Sequence, residues 1–290
     1  MAIMRDVLIA LAPASVAGCI IFGWRALLVL AVTLASSVLF EFLFNLIAKK
    51  ERTVDDLSAA VTGLLLGLNL PANIPIWQCV IGALFAIVLV KCIFGGIGNN
   101  VVNPAIAARV FMLVAFSSVA SAAYPTIVDT NSSATPLAEL AEGKTPELLD
   151  LLIGTRGGAI GETCAIALLV GFVYLLVRGV ISWHTPVAFV ATVFVLSFLI
   201  GGFDIMEALA MILSGGLLIG AIFMATDYVT SPTTWAGKLI FGFGAGVITV
   251  LIRYFGSYPE GVSFAILFMN ILTPYIDVFT RHRVFGGKRV

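Results

Sequence analysis

Apolar residues fill this chain in long blocks separated by short polar breaks. The blocks lie at about 5–23, 25–48, 56–70, 75–95, 101–121, 162–181, 186–202, 205–224, 236–255 and 262–280. Most are long enough to cross a bilayer, and the pattern predicts about ten transmembrane segments. Helices are the expected form, because in lipid a helix satisfies its own backbone polar groups. The third block is short and stops at Asn69-Leu70-Pro71, which predicts a half-crossing or re-entrant helix. Irregular backbone at membrane depth is tolerated only where protein covers it or where it lines a cavity.

One interruption is different in kind. From Tyr124 to Gly154 the chain turns polar and carries Asp129, Glu139, Glu142, Glu147 and Asp150, with Ser132-Ser133-Ala134-Thr135-Pro136-Leu137 at its centre. The composition of the whole chain is that of an all-α integral membrane protein: 60% hydrophobic, 11% charged, formal net charge zero and mean hydropathy +1.10. Soluble domains carry about 25% charged residues. No basic surplus points to nucleic acid, and membrane lipid is the expected surrounding. Met1–Asp6 is too short, and the first apolar run too long, for a simple secretory signal. The four cysteines, Cys19, Cys79, Cys92 and Cys164, have no CxxC spacing and read as buried free thiols, so no metal site is expected.

Basic residues set the expected orientation. Lys49, Lys50 and Arg52 follow the second segment, Arg178 closes the sixth, and Arg281, Arg283, Lys288 and Arg289 form the C-terminal tail. An even number of spans puts all of them on one face, which the positive-inside rule makes cytoplasmic, together with both termini. The polar loop then lies on the outer face. The expected organisation is a single membrane domain, 1–290: a first five-segment half, 1–121, the outer loop, 122–161, and a second half, 162–290. The halves also match in sequence. Gly63-Leu64-Leu65-Leu66-Gly67 parallels Gly216-Leu217-Leu218-Ile219-Gly220. Trp77, Lys91 and Phe94-Gly95 parallel Trp235, Arg253 and Phe255-Gly256. The matched segments run in opposite directions, the mark of an inverted repeat, which places a site between the halves near the midplane.

Local physics supplies the candidate residues. Thr135-Pro136 is a helix N-cap followed by proline in the first turn, and Thr145-Pro146 repeats it. A cap is also a good anion site, since free N–H groups and the helix dipole meet there. Arg156 is by its charge a better neighbour for such an anion than Glu162. Gly161-Glu162-Thr163 reads as the start of the sixth segment with an acid in its first turn. Gly95-Gly96-Ile97-Gly98-Asn99-Asn100 reads as a tight turn. Asn103-Pro104 starts the fifth segment, and Arg109 lies within it, where a charge is costly and needs an acid or a cofactor as partner. Glu41 and Asp227 are further ionisable residues in or beside apolar segments. Gly242–Gly246 has the GxxxG spacing of packed helices.

Asp129…Ser132-Ser133-Ala134-Thr135-Pro136-Leu137 resembles the flavin-attachment motif of a family of membrane flavoproteins. That family comprises the D subunit of Rnf electron transport complexes and the B subunit of sodium-pumping NADH:quinone reductase. Three further stretches are similar to it: Lys91–Asn100 continuing to Asn103-Pro104-Ala105, Gly158–Thr163, and Phe223–Pro232. This chain has Ser133 where the family often has glycine, and Cys164 where serine often follows Glu-Thr. The resemblance implies a urea-channel-like membrane fold and FMN joined to Thr135 by a phosphoester. Ser132, Ser133, Arg156, Glu162, Thr163, Asn103 and Arg109 are the cofactor-binding candidates. It also leaves room for a second flavin such as riboflavin. No catalytic residue is implied, because the chain would relay electrons rather than transfer hydride. The implied setting is a prokaryotic inner membrane. The implied role is a translocase subunit, coupling electron exchange between ferredoxin and NAD to sodium or proton movement, with Asp227 the ion-coupling candidate. Implied partners are other membrane and peripheral subunits, including a second covalent flavoprotein and iron–sulfur subunits. The rival readings are a solute channel or transporter of the same fold, the quinone-reductase B subunit, and a cofactor-free membrane anchor.

Overall fold

The structure is a computed structural model that describes residues 2–50, 53–120, 123–126, 135–256 and 260–281, with the side chains of residues 2 and 120 left out. Among these residues it is helical throughout, and its one β-type feature is an isolated antiparallel bridge between Ala123 and Gly158. Each of the ten apolar blocks contains a helix. The first half has α1 (Ala2–Phe22), α2 (Trp24–Ile47), α3 (Ser58–Leu68), α4 (Ile76–Leu84, continuing as π-helix over Phe85–Cys92) and α5 (Pro104–Ala115). A short α6 (Ser117–Ala120) follows. The polar loop holds two more short helices, α7 (Pro136–Ala141) and α8 (Leu148–Ile153). The second half has α9 (Ala165–Val177), α10 (His184–Ile200), α11 (Ile205–Leu213), α12 (Leu217–Ile219, continuing as π-helix over Gly220–Met224), α13 (Trp235–Phe255) and α14 (Val262–Thr280).

Length divides these helices. α1, α2, α13 and α14 are long and apolar enough to cross a membrane, and α11 with α12 makes a fifth span if counted as one bent element. The other apolar helices are shorter, so by length the described residues offer four to five spans where the sequence pattern predicts ten. Hydropathy blocks include the apolar loops that flank a short helix, which is why they overstate its length. The third block behaves as predicted in being short: α3 ends at Leu68, and its continuation Asn69–Pro75 is irregular, with Leu70 and Ile74 sealed inside and Asn73 and Pro75 exposed.

Local sequence explains the element boundaries. Asn103 caps α5, its side chain accepting from the N–H groups of Ala105 and Ile106, ahead of Pro104. α11 and α12 meet at 64° across Ser214-Gly215-Gly216, where Gly215 takes a φ of +65°. The freed carbonyls at that break are not orphaned. Arg253 of α13 donates to the Met211 and Ser214 carbonyls at 2.5 and 2.9 Å. The glycine pair Gly242/Gly246 does pack helices. A Cβ at Gly242 would lie 2.7 Å from the Thr185 carbonyl of α10, and one at Gly246 would lie 2.6 Å from Thr192. Turn glycines Gly95, Gly96 and Gly98 all have positive φ, as their spacing predicts. All four cysteines are free.

Candidate functional site

The loop helices close back onto the core. Leu140 of α7 and Leu151 of α8 pack with Ala210 and Met211 of α11 in a small apolar cluster. Arg156 braces the two, donating to Glu139 of α7 and Asp150 of α8 at 3.1 Å each. The chain then reaches the broken end of α3, where the N–H groups of Ile160 and Gly161 donate to the Leu70 and Leu68 carbonyls. A Cβ at Gly161 would sit 2.7 Å from the Leu68 Cβ, so glycine is what lets the loop dock there.

Between loop and core lies a cavity with about 720 Å³ of empty space including its mouth. Its lining brings together Thr135, Arg156, Glu162, Thr163 and Arg109, five of the candidates read from sequence. Thr135 caps α7, its Oγ1 accepting from the Ala138 N–H at 3.2 Å. Ser132 and Ser133 lie outside the described residues. Glu162 is not in the first turn of a helix: α9 begins at Ala165, and Glu162 Oε2 instead accepts from the N–H of Ala159 at 3.3 Å. The correction has a local cause, since the turn 159–162 bonds to itself and to the end of α3 before the helix can start.

Arg109 has the acid its position demands. Its Nη2 lies 2.6 Å from Oε2 of Glu260, in the loop between α13 and α14. Burial acts to raise the Glu260 pKa, but the Arg109 charge and the hydrogen bonds around the carboxyl overrule it and hold it down at about 2. Glu260 escaped the sequence reading, although an acid flanked by apolar helices was the obvious complement to an arginine inside one. Ser214 and Gly215, at the break before α12, also line the cavity, and the Ser-Gly-Gly triplet inside an apolar block was their signal.

This cavity is unusual in its unpaired groups. Arg109 Nε and Nη1, Glu162 Oε1, Thr163 Oγ1 and Ser214 Oγ are all buried without a hydrogen-bond partner. A buried polar group left unpaired costs about 1–3 kcal/mol, so such a set calls for a ligand. Donors dominate it, and they suit a group rich in oxygen and nitrogen acceptors. The residues therefore fit a flavin nucleotide.

Asn103 and Asp227 lie elsewhere, on a second cavity with about 800 Å³ of empty space, beside Lys91, Ser58 and Thr226. Asp227 is engaged in its own turn, Oδ1 accepting from the Val229 N–H and Oδ2 from the Thr230 hydroxyl. Burial raises its pKa, against the lowering effect of those two bonds. Asn103 donates to the Met224 carbonyl, and its own N–H donates to Asn270. Lys91 forms a buried ion pair with Glu41 at 2.7 Å and donates to Ser58. Among the described residues no group of three or more His, Cys, Asp or Glu is placed to hold a metal.

Comparison with known proteins places the whole chain in a family. Residues 1–286 match the model of the NQR2, RnfD, RnfE family. The D subunit of the Na(+)-translocating ferredoxin:NAD(+) oxidoreductase complex of Acetobacterium woodii is 45% identical over 294 residues, covering 99% of this chain and 91% of the relative. The D subunit of the proton-translocating ferredoxin:NAD(+) oxidoreductase complex of Clostridium ljungdahlii is 40% identical over 305 residues, with 99% and 92% covered. The D subunit of the ion-translocating oxidoreductase complex of Escherichia coli strain K12 is 34% identical over 333 residues, with 99% and 94% covered. A match that spans nearly every residue of this chain and of its relatives leaves one assignment: the chain belongs to the NQR2, RnfD, RnfE family.

Proposed function

We propose that this chain is the membrane subunit of an ion-translocating ferredoxin:NAD oxidoreductase, and that it relays electrons through FMN joined by a phosphoester to Thr135. The observation that carries the reading is the set of unpaired buried donors around the cavity whose lining includes Thr135. FMN supplies the electron-carrying ring when bound. Thr135 anchors it, with the Leu137 N–H at the start of α7 beside the attachment point. Arg109, Thr163 and Ser214 offer donors to the ring or its chain. Arg156 holds the loop shut through Glu139 and Asp150, so its charge is largely spent on positioning. The relatives' names extend the reading to partner subunits of a complex and to coupling with sodium or proton movement.

The same reading takes the ten helical blocks as ten membrane passages in two inverted halves, with the termini cytoplasmic and the 122–161 loop outside. The second cavity then faces the opposite side. A channel of similar fold would have no use for a Thr135 cap with unpaired donors behind it.

Attachment is tested by denaturing electrophoresis under ultraviolet light. The wild-type band is expected to fluoresce, and Thr135→Ala is expected to abolish the signal while the protein still inserts. Undiminished fluorescence in an inserted Thr135→Ala protein rejects the assignment. Orientation is tested with single cysteines near Glu142 and Gly287, which are expected to label from opposite faces; labelling of both from outside rejects it.

A further inference from the structure

Two carboxyl groups that no cofactor contact explains meet beside the Thr135 cavity. Glu162 comes from the loop before α9 and Glu260 from the loop before α14. Both close on the backbone of Gly216, where a Cβ would lie 3.0 Å from Glu162 Oε1 and 2.9 Å from Glu260 Oε1. Both Oε1 atoms converge on that one point, which brings the two carboxyls together. Glu162 Oε2 is already occupied by the Ala159 N–H, while Oε1 is sealed from solvent and has no donor. Nothing the size of water reaches that atom. A hydrogen on it, directed at the neighbouring carboxylate, supplies what is missing.

We propose that Glu162 and Glu260 hold one proton between them at neutral pH, with Glu162 the neutral acid and Glu260 the carboxylate. Arg109 decides which is which, because it stands 2.6 Å from Glu260 Oε2. The other charged group facing the pair is Arg253, from α13. Arg253 spends two of its nitrogens on backbone carbonyls, so it contributes charge without taking either carboxyl. With the proton in place, the two arginines and one carboxylate leave one net positive charge beside the cavity; without it, none. The pair is thus a one-proton site that sets the charge at the cavity wall. If an electron reaches a cofactor there from a one-electron carrier, the pair tightens its hold on the proton, and no bond to the cofactor is made or broken. This last step rests on the FMN reading; the one-proton site does not.

Infrared spectroscopy of the purified full chain, with isotope-labelled glutamate, tests the proposal. One deuterium-sensitive protonated carboxyl signal is expected at neutral pH, lost in Glu162→Gln and in Glu260→Gln. A signal that survives either substitution overturns the proposal. Wild-type protein decides alone if a variant does not accumulate, since absence of the signal there also overturns it. Reduction of protein whose band fluoresces is expected to raise the proton affinity by about tenfold or more, the effect of a unit charge about 10 Å away at an effective dielectric near 20. An unchanged affinity in fluorescent protein severs the pair from the cavity. Absence of fluorescence in wild-type protein strikes the FMN reading and leaves the proton signal to be judged by itself.

Discussion

Thr135 and Asp227 each stand on the wall of a cavity of similar size, yet the walls are finished differently. Around Asp227 the polar side chains of the described lining residues are paired, although Glu41, behind Lys91, keeps Oε2 without a partner. Lys91 has Glu41 and Ser58, Asn103 has Met224 and the α5 N–H groups, and Asp227 has its own turn. Around Thr135 three lining residues, Arg109, Thr163 and Ser214, keep buried donor atoms without partners. A paired wall holds its shape with or without a ligand. An unpaired wall carries a cost that a ligand removes. The contrast therefore separates a cavity built chiefly by the fold from one that the fold leaves incomplete for a cofactor.

The largest test of that contrast uses the two buried ion pairs. Arg109–Glu260 belongs to the unfinished cavity and Lys91–Glu41 to the finished one. Removing one partner of a buried pair strands the other charge and costs roughly 3–5 kcal/mol. Arg109→Met and Lys91→Met are both expected to lower stability by this order, read from thermal unfolding in detergent. Their effects on bound flavin are expected to differ. Per folded molecule, Arg109→Met should shift the flavin absorption and potential, and Lys91→Met should leave both alone. Equal flavin effects from the two variants would erase the distinction between the cavities.

A smaller test uses pH. The folded-state pKa of Glu260 is depressed to about 2 from an ordinary value near 4.5. A depressed acid contributes stability that is full above its unfolded pKa and is lost as pH falls through its folded pKa. The shift corresponds to about 3 kcal/mol. Wild type should exceed Glu260→Gln by a steady margin from neutral pH down to about 5, and the gap should close between there and about pH 2. A gap that closes on raising the pH instead would mean that Glu260 is neutral in the folded protein and that Arg109 has another partner.

How far the sequence reached follows from which forces are local. Caps and turns depend on a few consecutive residues. Thr135-Pro136, Asn103-Pro104 and the Gly95–Gly98 turn were therefore legible, and so was the GxxxG pair on α13. The need of Arg109 for an acid was legible as an energetic demand, but its answer, Glu260, lies 151 positions away and depends on how α5 meets the α13–α14 loop. Asn103 and Arg109 share one helix and look like one site in sequence, yet they line different cavities. The start of α9 was misplaced because apolarity begins before helicity does: Ile160 and Gly161 give their N–H groups to α3 instead.

The finest test concerns Asp227. It is half-buried, and burial raises its pKa, so the charged form is disfavoured in the folded state. For an acid shifted upward, stability is full below the unfolded pKa and is lost as pH rises through the folded one. Asp227→Asn keeps an acceptor for the Val229 N–H and removes the charge. Its thermal stability is expected to match or slightly exceed wild type at neutral pH, and the two should converge as pH falls. The effect on coupling should be more specific than the effect on stability. A unit charge about 10 Å from a carboxylate interacts with it by roughly 2 kcal/mol at an effective dielectric near 20. That changes cation affinity by more than tenfold, enough to bias transport. If Asp227 senses such a charge, Asp227→Asn in the assembled complex, with its flavin content unchanged, should lower ion uptake per electron more than electron flow. If uptake and flow are both unchanged, Asp227 does only what its two hydrogen bonds do, which is to hold the turn between Met224 and Thr230, and the wall it belongs to is structural throughout.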